Sequence, residues 1–312
     1  MEAIAEAIPL AFRLWVFCTG AVVGSFLNVV IARVPAGESV VSPPSRCPRC
    51  KAGIAWYDNV PILSWIALRA KCRRCGLPIA SRYPTVEGLT GVVAVAIAVQ
   101  LGPTWAALGY FAFAAALVAL AFIDLDTWLL PHQITWPLFA FGLLSPLWNR
   151  DLTWAESLIG AAAGFSLFAA IALFGEKVLK KETMGWGDVF LLGAIGAWLG
   201  WPSLLPVVLL SALQGSVVGL LLIAAKKAPV AVPPQEEGPT PPAAPEPAPA
   251  ATPEPAAAPG ATAETSSLDD DWTPPKHAVP FGPFLALAAL EQLLVGARLA
   301  EVWFGFVSRL LP

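Results

Sequence analysis

The run from Trp105 to Ile123 constrains this chain more than any other feature: it contains no charged residue and offers no polar face. A helix that is apolar all round belongs in a large core or in lipid. Similar runs cover about 8–32, 86–101, 104–123, 133–148, 154–175, 188–200, 203–225 and 281–308, eight in all, the fourth and sixth being short. Crossing a bilayer takes roughly 20 residues. The composition decides between core and lipid. The chain is 57% hydrophobic and 13% charged, against roughly 45–50% and 25% for soluble domains, which excludes an ordinary cytosolic enzyme. The expected fold class is an all-α polytopic membrane protein with about eight transmembrane helices and no strand. The first run is longer than a signal-peptide core and lacks a strong basic n-region, so it reads as a retained span, with Arg13 snorkelling to the near interface.

The net charge of -3, from 19 basic and 22 acidic residues, conceals a segregation. Residues 228–275 hold eight acids (Glu236, Glu237, Glu246, Glu254, Glu264, Asp269, Asp270 and Asp271) and no base. Without those eight, 14 acids face 19 bases, a body of +5. The bases cluster. Arg33 ends the first run, and Arg46, Arg49, Lys51, Arg69, Lys71, Arg73, Arg74 and Arg82 fill the loop 34–85. Lys177, Lys180, Lys181, Lys226, Lys227 and Lys276 fall in two further loops that the span count places on the same side. Positive charge marks the cytoplasmic face, so the loop 34–85 is expected inside and the N-terminus outside. The Pro/Ala/Glu-rich insert 228–275 lies inside by the same count; its composition predicts disorder, as a spacer or as a docking arm for a basic partner. The expected units are 1–33 (first transmembrane helix), 34–85 (cytoplasmic loop), 86–227 (six-helix membrane core), 228–275 (insert) and 276–312 (last transmembrane helix). The expected setting is a membrane, with the lipid bilayer as a partner and no nucleic acid.

Four of the five cysteines form Cys47-Pro-Arg-Cys50 and Cys72-Arg-Arg-Cys75 in that loop. Two such knuckles read as a four-thiolate zinc site; free thiols or a redox pair are the alternatives. Four-sulfur zinc sites are closed and structural, so this one would organise the loop without performing chemistry. Cys18, alone in an apolar run, reads as a small buried hydrophobe.

Acids at membrane depth are functional candidates. Asp124 and Asp126 end the third run, and Asp188 opens the sixth after Met184-Gly185-Trp186-Gly187. By the topology above they share one depth on different helices. Two such carboxylates that meet can divide one proton, one serving as base while the other polarises a carbonyl. Gly185 and Gly187 would let backbone, and hence substrate, approach Asp188. The alternative is a set of interfacial helix-end charges. Glu87 reads as a first-turn helix charge, or as a second group lining that cleft. His132 reads as an interfacial turn residue. Glu291, Arg298 and Glu301 read as one helical stripe with an internal ion pair.

Taken together these residues resemble the type IV prepilin peptidases, membrane aspartic peptidases that are also N-methyltransferases. The resemblance rests on Gly24-Ser25-Phe26-Leu27-Asn28 with Arg33-Val34-Pro35, and on the knuckles with Trp56-Tyr57-Asp58-Asn59 and Ser81-Arg82-Tyr83-Pro84 between and after them. It rests also on Asp124 seven residues before Pro131, on the Gly-x-Gly-Asp stretch ending at Asp188, and on Pro280-Phe281-Gly282-Pro283-Phe284. It covers the chain apart from 228–275. It implies catalytic roles for Asp124 rather than Asp126 and for Asp188, and a cut at the cytoplasmic face, after a leader-ending glycine and before an apolar helix. It implies prepilin or pseudopilin substrates, pilus or secretion machinery as partners, and S-adenosylmethionine as methyl donor for a second step; no residues for that donor are legible. Three positions depart from the family pattern: His132 where Asp is common, Phe190 where Lys is common, and Trp186 where a small residue is common. A presenilin-like intramembrane protease and a non-enzymatic assembly factor with a zinc docking loop are the competing readings.

Overall fold

The computed structural model describes residues 9–180, 184–225 and 279–310, with side chains to residue 296 except at 179. The insert 228–275 and the side chains of Arg298 and Glu301 lie outside the described residues. Among the described residues eight helices of 12 or more residues carry the architecture: α1 (Leu10–Arg33), α2 (Arg82–Leu101), α3 (Trp105–Thr127), α4 (His132–Leu143), α5 (Trp154–Phe174), α6 (Trp186–Leu199), α7 (Leu204–Ala224) and α8 (Gly282–Leu310). No strand occurs among the described residues; the loop between α1 and α2 carries two isolated bridges.

Five helical stretches are long and apolar enough to cross a membrane: α1, α2, α3, Trp154–Val178 and Trp201–Ala224. Helix α4 has 12 residues and α6 has 14, about 18 and 21 Å at 1.5 Å per residue, short of a bilayer core of about 30 Å. The run expected over 133–148 breaks early because Ser145–Leu147 turns into a 3-10 helix with Pro146 in its first turn. Start signals match chemistry. The Thr104 hydroxyl accepts from the Ala107 N–H, and Thr153 and Glu156 form a reciprocal capping box on α5.

Apolar contact drives helices together weakly in lipid, so close packing and polar ties decide which pairs form. Helices α5 and α6 touch backbone to backbone, because a Cβ on Gly160 would strike the Gly196 carbonyl and a Cβ on Gly164 would sit 2.6 Å from the Leu192 oxygen. Helices α1 and α2 meet antiparallel in the same manner, Gly24 lying against the Glu87 Cα. Polar ties then bind α4 and α5 to α6. Trp198 Nε1 donates to the Leu138 carbonyl at 2.8 Å, and the Ser157 hydroxyl to the Ala197 carbonyl at 2.9 Å. Helix α3 and the start of α8 fill the centre, with Phe113, Leu117, Leu120, Ile123 and Leu285 sealed from the surface. Helix α6 is buried on nearly every side. Helix α7 is the opposite: only 11% of its apolar window is buried, and Leu205, Leu209 and Leu213 face outward.

One end of this bundle gathers the chemistry. The end of α1, the start of α2, the end of α3 and the starts of α4, α6 and α8 all meet there, and the cysteine loop joins α1 to α2 at the same end. Cys18, expected to be buried, instead points out of the bundle; α1 turns Gly20 and Gly24 toward α2, which leaves residue 18 on the outer face.

Candidate active site and metal centre

Asp124 sits in the last turn of α3 and is 5% exposed. Helix α3 ends at Trp128, whose left-handed φ of 57° turns the chain away toward α4. Asp188 sits in the first turn of α6, where its N–H bonds to the Gly185 carbonyl at 3.1 Å. The two carboxylates are near enough that Asp124 acts electrostatically on Asp188. They are held differently. The backbone N–H of Gly282, at the start of α8, donates to the Asp124 carboxylate, an arrangement that favours negative charge. Asp188 Oδ1 is shielded from solvent and has no hydrogen-bond partner. Leu130 wedges between the surrounding glycines: a Cβ on Gly187 would lie 2.6 Å from the Leu130 Cβ, and one on Gly282 3.4 Å from its Cδ1. Gly185 has ordinary room for a Cβ, 3.9 Å from Asp188 Oδ2.

Asp126, two residues on, is turned away and ion-paired with Arg82 at the start of α2; the Arg82 guanidinium also lies 5.5 Å from the Phe122 ring. Glu87 is not a first-turn charge. It is the sixth residue of α2, 7% exposed, and accepts from the backbone N–H of Ile62 at 2.7 Å. Ile62 has a φ of 62°, so this bond clamps a strained turn of the cysteine loop onto the bundle. Glu291, expected in a stripe of its own helix, accepts from Gln214 of α7 at 2.6 Å. His132 is the first residue of α4 rather than a turn residue, and its ring lies 5.6 Å from Phe190 and 5.8 Å from Trp136. Two of the three departures from the family pattern therefore touch each other, as an aromatic contact between the starts of α4 and α6. The Gly282 donor, the Leu130 wedge and the Glu87 clamp all join residues far apart in sequence, and the only signal in the sequence was an acid, Glu87, at the start of an apolar run.

The loop folds as two near-identical knuckles. The Cys47 N–H bonds to Ala52 and Lys51 returns to the Cys47 carbonyl, while the Cys72 N–H bonds to Leu77 and Gly76 returns to the Cys72 carbonyl. All four sulfurs lie within 4.8 Å of one another, and Cys47 Sγ and Cys75 Sγ are 3.7 Å apart. Tetrahedral thiolates at about 2.3 Å from a zinc ion stand about 3.8 Å apart, so the donor set fits one metal ion. The Cys50 backbone N–H leads the groups that hold the Cys47 thiol down to about 6. The Leu77 N–H acts likewise on Cys75, but burial and the three other thiols outweigh it and push that thiol up to about 11. Arg73, between two ligands, grips Asp58 through Nε at 2.9 Å and Nη2 at 2.6 Å and lies 5.6 Å from the Tyr57 ring. The guanidinium holds the Asp58 carboxyl below the usual carboxylate range.

Two cavities stand apart from the carboxylates. A space of about 720 Å³ lies at the opposite end, between Trp105, Trp148 and Arg150; its distance from every candidate group leaves it outside the site. The other, about 500 Å³, is an apolar groove between α4 and α5 that ends at Phe190.

Comparison with known proteins agrees with this geometry. Residues 18–101 match the Bacterial Peptidase A24 N-terminal domain, and residues 111–220 match the Type IV leader peptidase family. A "Prepilin leader peptidase/N-methyltransferase" of Myxococcus xanthus is 42% identical, over 96% of this chain and 95% of that protein. Proteins of the same name from Aeromonas hydrophila and Pseudomonas aeruginosa are 41% and 31% identical, the alignments covering 70% and 96% of this chain and 84% and 96% of theirs. No solved structure matches the chain. With the knuckles in the first matched region and both aspartates in the second, this multi-pass membrane protein belongs to the type IV leader peptidase family.

Proposed function

We propose that the chain is a membrane aspartic endopeptidase that removes the leader of type IV prepilins and pseudopilins, and then methylates the new N-terminus, in line with the leader peptidase and N-methyltransferase activities that its relatives' names print. The observation that carries the reading is the unequal support of Asp124 and Asp188: one accepts a backbone N–H, the other has a shielded oxygen without a partner. Negative charge is stabilised on Asp124, so Asp188 holds the shared proton. In the reaction, Asp124 removes a proton from a water as its oxygen attacks the scissile carbonyl. Asp188 donates a hydrogen bond to that carbonyl and its proton to the developing oxyanion. Collapse of the tetrahedral species returns the hydroxyl proton to Asp188 and passes the proton on Asp124 to the leaving amine. The pair ends as it began, with one proton.

Cys47, Cys50, Cys72 and Cys75 would hold Zn²⁺, which supplies crosslinking of the loop and no reaction step. The Glu87–Ile62 bond carries that order to the bundle end where the carboxylates sit. S-adenosylmethionine, implied by the methyltransferase name, is a charged, polar molecule. The 500 Å³ groove, whose lining is apolar but for Ser166, does not fit it. Charge distribution supports a cytoplasmic position for the loop and the aspartates, in the inner membrane, where a substrate with a polar leader and an apolar helix would present its scissile bond. The test is leader cleavage of a co-expressed prepilin. Wild type cleaves; Asp124→Asn and Asp188→Asn, present in the membrane at normal amounts, do not. Normal cleavage by either variant would falsify the paired mechanism.

A further inference from the structure

Residues 61–67 of the cysteine loop do not stand clear of the bundle. The Ile62 N–H bonds to the Glu87 carboxylate at 2.7 Å, and a Cβ on Gly88 would lie 3.8 Å from Ile62 Cδ1. The Ser25 hydroxyl of α1 holds the same carboxylate. Gly88 is six residues past Arg82, about 9 Å along α2. Helix α2 has 20 residues, about 30 Å, which is the thickness of a bilayer core with nothing to spare. Its first residue, Arg82, paired with Asp126, therefore marks the boundary, and the Ile62 side chain reaches about 9 Å beneath it. Two properties of the segment suit that depth. Its backbone bonds to itself: the N–H groups of Ser64, Ile66 and Leu68 reach the Val60, Ile62 and Ser64 carbonyls, and those of Arg69, Ala70 and Lys71 reach Ile66, Trp65 and Leu68. The left-handed φ of Ile62 takes its own N–H out of that pattern, and Glu87 accepts it. The short helix Leu63–Ala67 is also two-faced. Trp65 Nε1 donates inward to the Ile79 carbonyl at 3.1 Å. Leu63, Ile66 and Ala67 share the other face and are exposed, Leu63 by 66% and Ile66 by 59%. Exposed Arg69 and Lys71 follow, where the chain leaves for the second knuckle.

We propose that this segment is inserted in the lipid leaflet around the bundle end, with Leu63, Ile66 and Ala67 against acyl chains and Arg69 and Lys71 at the headgroup phosphates. The inference depends on the membrane setting and not on the peptidase reading. Lipid is the occupant because depth and charge coincide. Spans α1 and α2 tether the loop to the bilayer at both ends. An apolar face set about 5–10 Å into the headgroup and acyl boundary is the depth an interfacial helix takes, and long basic side chains beside it reach back to the phosphates. A soluble partner would have to enter the leaflet to meet this face. Backbone in lipid must be satisfied by protein, which gives the buried carboxylate of Glu87 its use: it accepts the one N–H that the turn at Ile62 leaves over. The metal loop is thus moored at three points, the ends of α1 and α2 and this wedge, at a fixed height over the bundle end that holds Asp124 and Asp188.

The full-length protein in nanodiscs tests this by spin-label accessibility. A p-acetylphenylalanine is placed singly at Leu63, Ile66, Val92 or Glu38 and coupled to a hydroxylamine nitroxide, which spares the cysteines. Collisions are read with oxygen, which partitions into hydrocarbon, and with a water-soluble nickel chelate. Val92, on the outer face of α2 ten residues past Arg82, is the lipid reference, and Glu38, beyond the end of α1, is the water reference. All four side chains are exposed, so the label displaces no core group. At Leu63 and Ile66 the expected nickel collisions are about fivefold or more below those at Glu38, with oxygen collisions within about twofold of Val92. Nickel collisions at the Glu38 level at either position place the segment in water and overturn the proposal. Low collisions with both reagents mean that protein, a second copy included, covers the segment, and that overturns it as well.

Discussion

Substituting Gly282→Ala tests the site at its tightest point. Gly282 is the first residue of α8 and its φ is outside the left-handed region, so the backbone accepts alanine. The N–H that bonds to Asp124 is retained. What changes is one methyl group, which would lie 2.5 Å from Asp124 Oδ2 and 3.1 Å from its Cγ. Ordinary contact begins near 3.4 Å, so the carboxylate or the start of α8 must yield by about 1 Å. The space is not free, because Leu130 Cδ1 is 3.4 Å from the same point. A displacement of about 1 Å in a reacting group costs on the order of 100-fold, or about 2.7 kcal/mol of activation energy. The assay is steady-state cleavage of a prepilin in nanodiscs, with thermal unfolding in parallel. The expected outcome is a kcat reduced roughly 100-fold with KM within a few-fold and a melting temperature within a few degrees of wild type. Gly219→Ala on α7, which meets no atom within 4 Å, serves as control and is neutral. Wild-type kcat in Gly282→Ala would refute the assignment of Gly282 to the support of Asp124.

Other outcomes follow from named contacts. Asp126→Asn breaks the ion pair with Arg82; because both side chains are partly exposed, stability changes by no more than about 1 kcal/mol and prepilin cleavage stays within a few-fold of wild type, in contrast to Asp124→Asn. Cys75→Ser lowers bound metal, read by elemental analysis, and makes the segment between α1 and α2 susceptible to protease. Glu87→Ala leaves the Ile62 N–H without its acceptor, a cost of about 1–3 kcal/mol, and raises hydrogen exchange around Ile62; Glu87→Gln, which keeps an acceptor, restores most of the protection. Asp58 gives a pH dependence with a defined sign. Its folded carboxyl is depressed by Arg73, so its contribution is complete above the unfolded value of about 3.9 and is lost as pH falls through the lower folded value. The difference in hydrogen exchange over Trp56–Asn59 between wild type and Asp58→Asn is therefore flat from about pH 5 to 8.

What could be read in advance divides by the range of the interactions involved. Each apolar run contains a helix because period and length are local properties, and the knuckles are legible because a C-x-x-C turn closes on itself through the Cys47–Lys51 and Cys72–Gly76 bonds. The readings that failed concern which way a side chain faces. Cys18 points outward because Gly20 and Gly24 claim the inner face of α1. Glu87 is buried because the loop folds back to offer the Ile62 N–H. Gln214 reaches Glu291 because α7 and α8 pack, a partner that α8 alone does not reveal; the expected ion pair with Arg298 lies outside the described side chains. The choice between Asp124 and Asp126 came from resemblance to the family pattern; in the structure it is Arg82, on another helix, that turns Asp126 away. No local rule brings Gly282, more than 150 positions away, to Asp124.

The short helix α6 explains why these distant pieces meet where they do. At 14 residues it covers about 21 Å, so an end placed at one membrane surface leaves the other inside the hydrocarbon layer. Its far end is fixed by Trp198, stacked 5.1 Å from Phe113 and bonded to Leu138. With that far end at a membrane surface, the near end, with Asp188, would stop short of the level that a full-length span reaches. A charged side chain at such depth is tolerated only where protein or water surrounds it, and α3, the start of α8 and the Leu130 turn supply that surround. Adding four residues to α6 just after Asp188, with Trp198 still anchored, would lift Asp188 about 6 Å past Asp124 and separate the pair while retaining both side chains. An insertion of four alanines after Asp188, with folding confirmed by retained metal and a normal melting temperature, is expected to abolish cleavage as fully as Asp188→Asn does. Retained cleavage would show that the depth of α6 does not set the register of the two carboxylates.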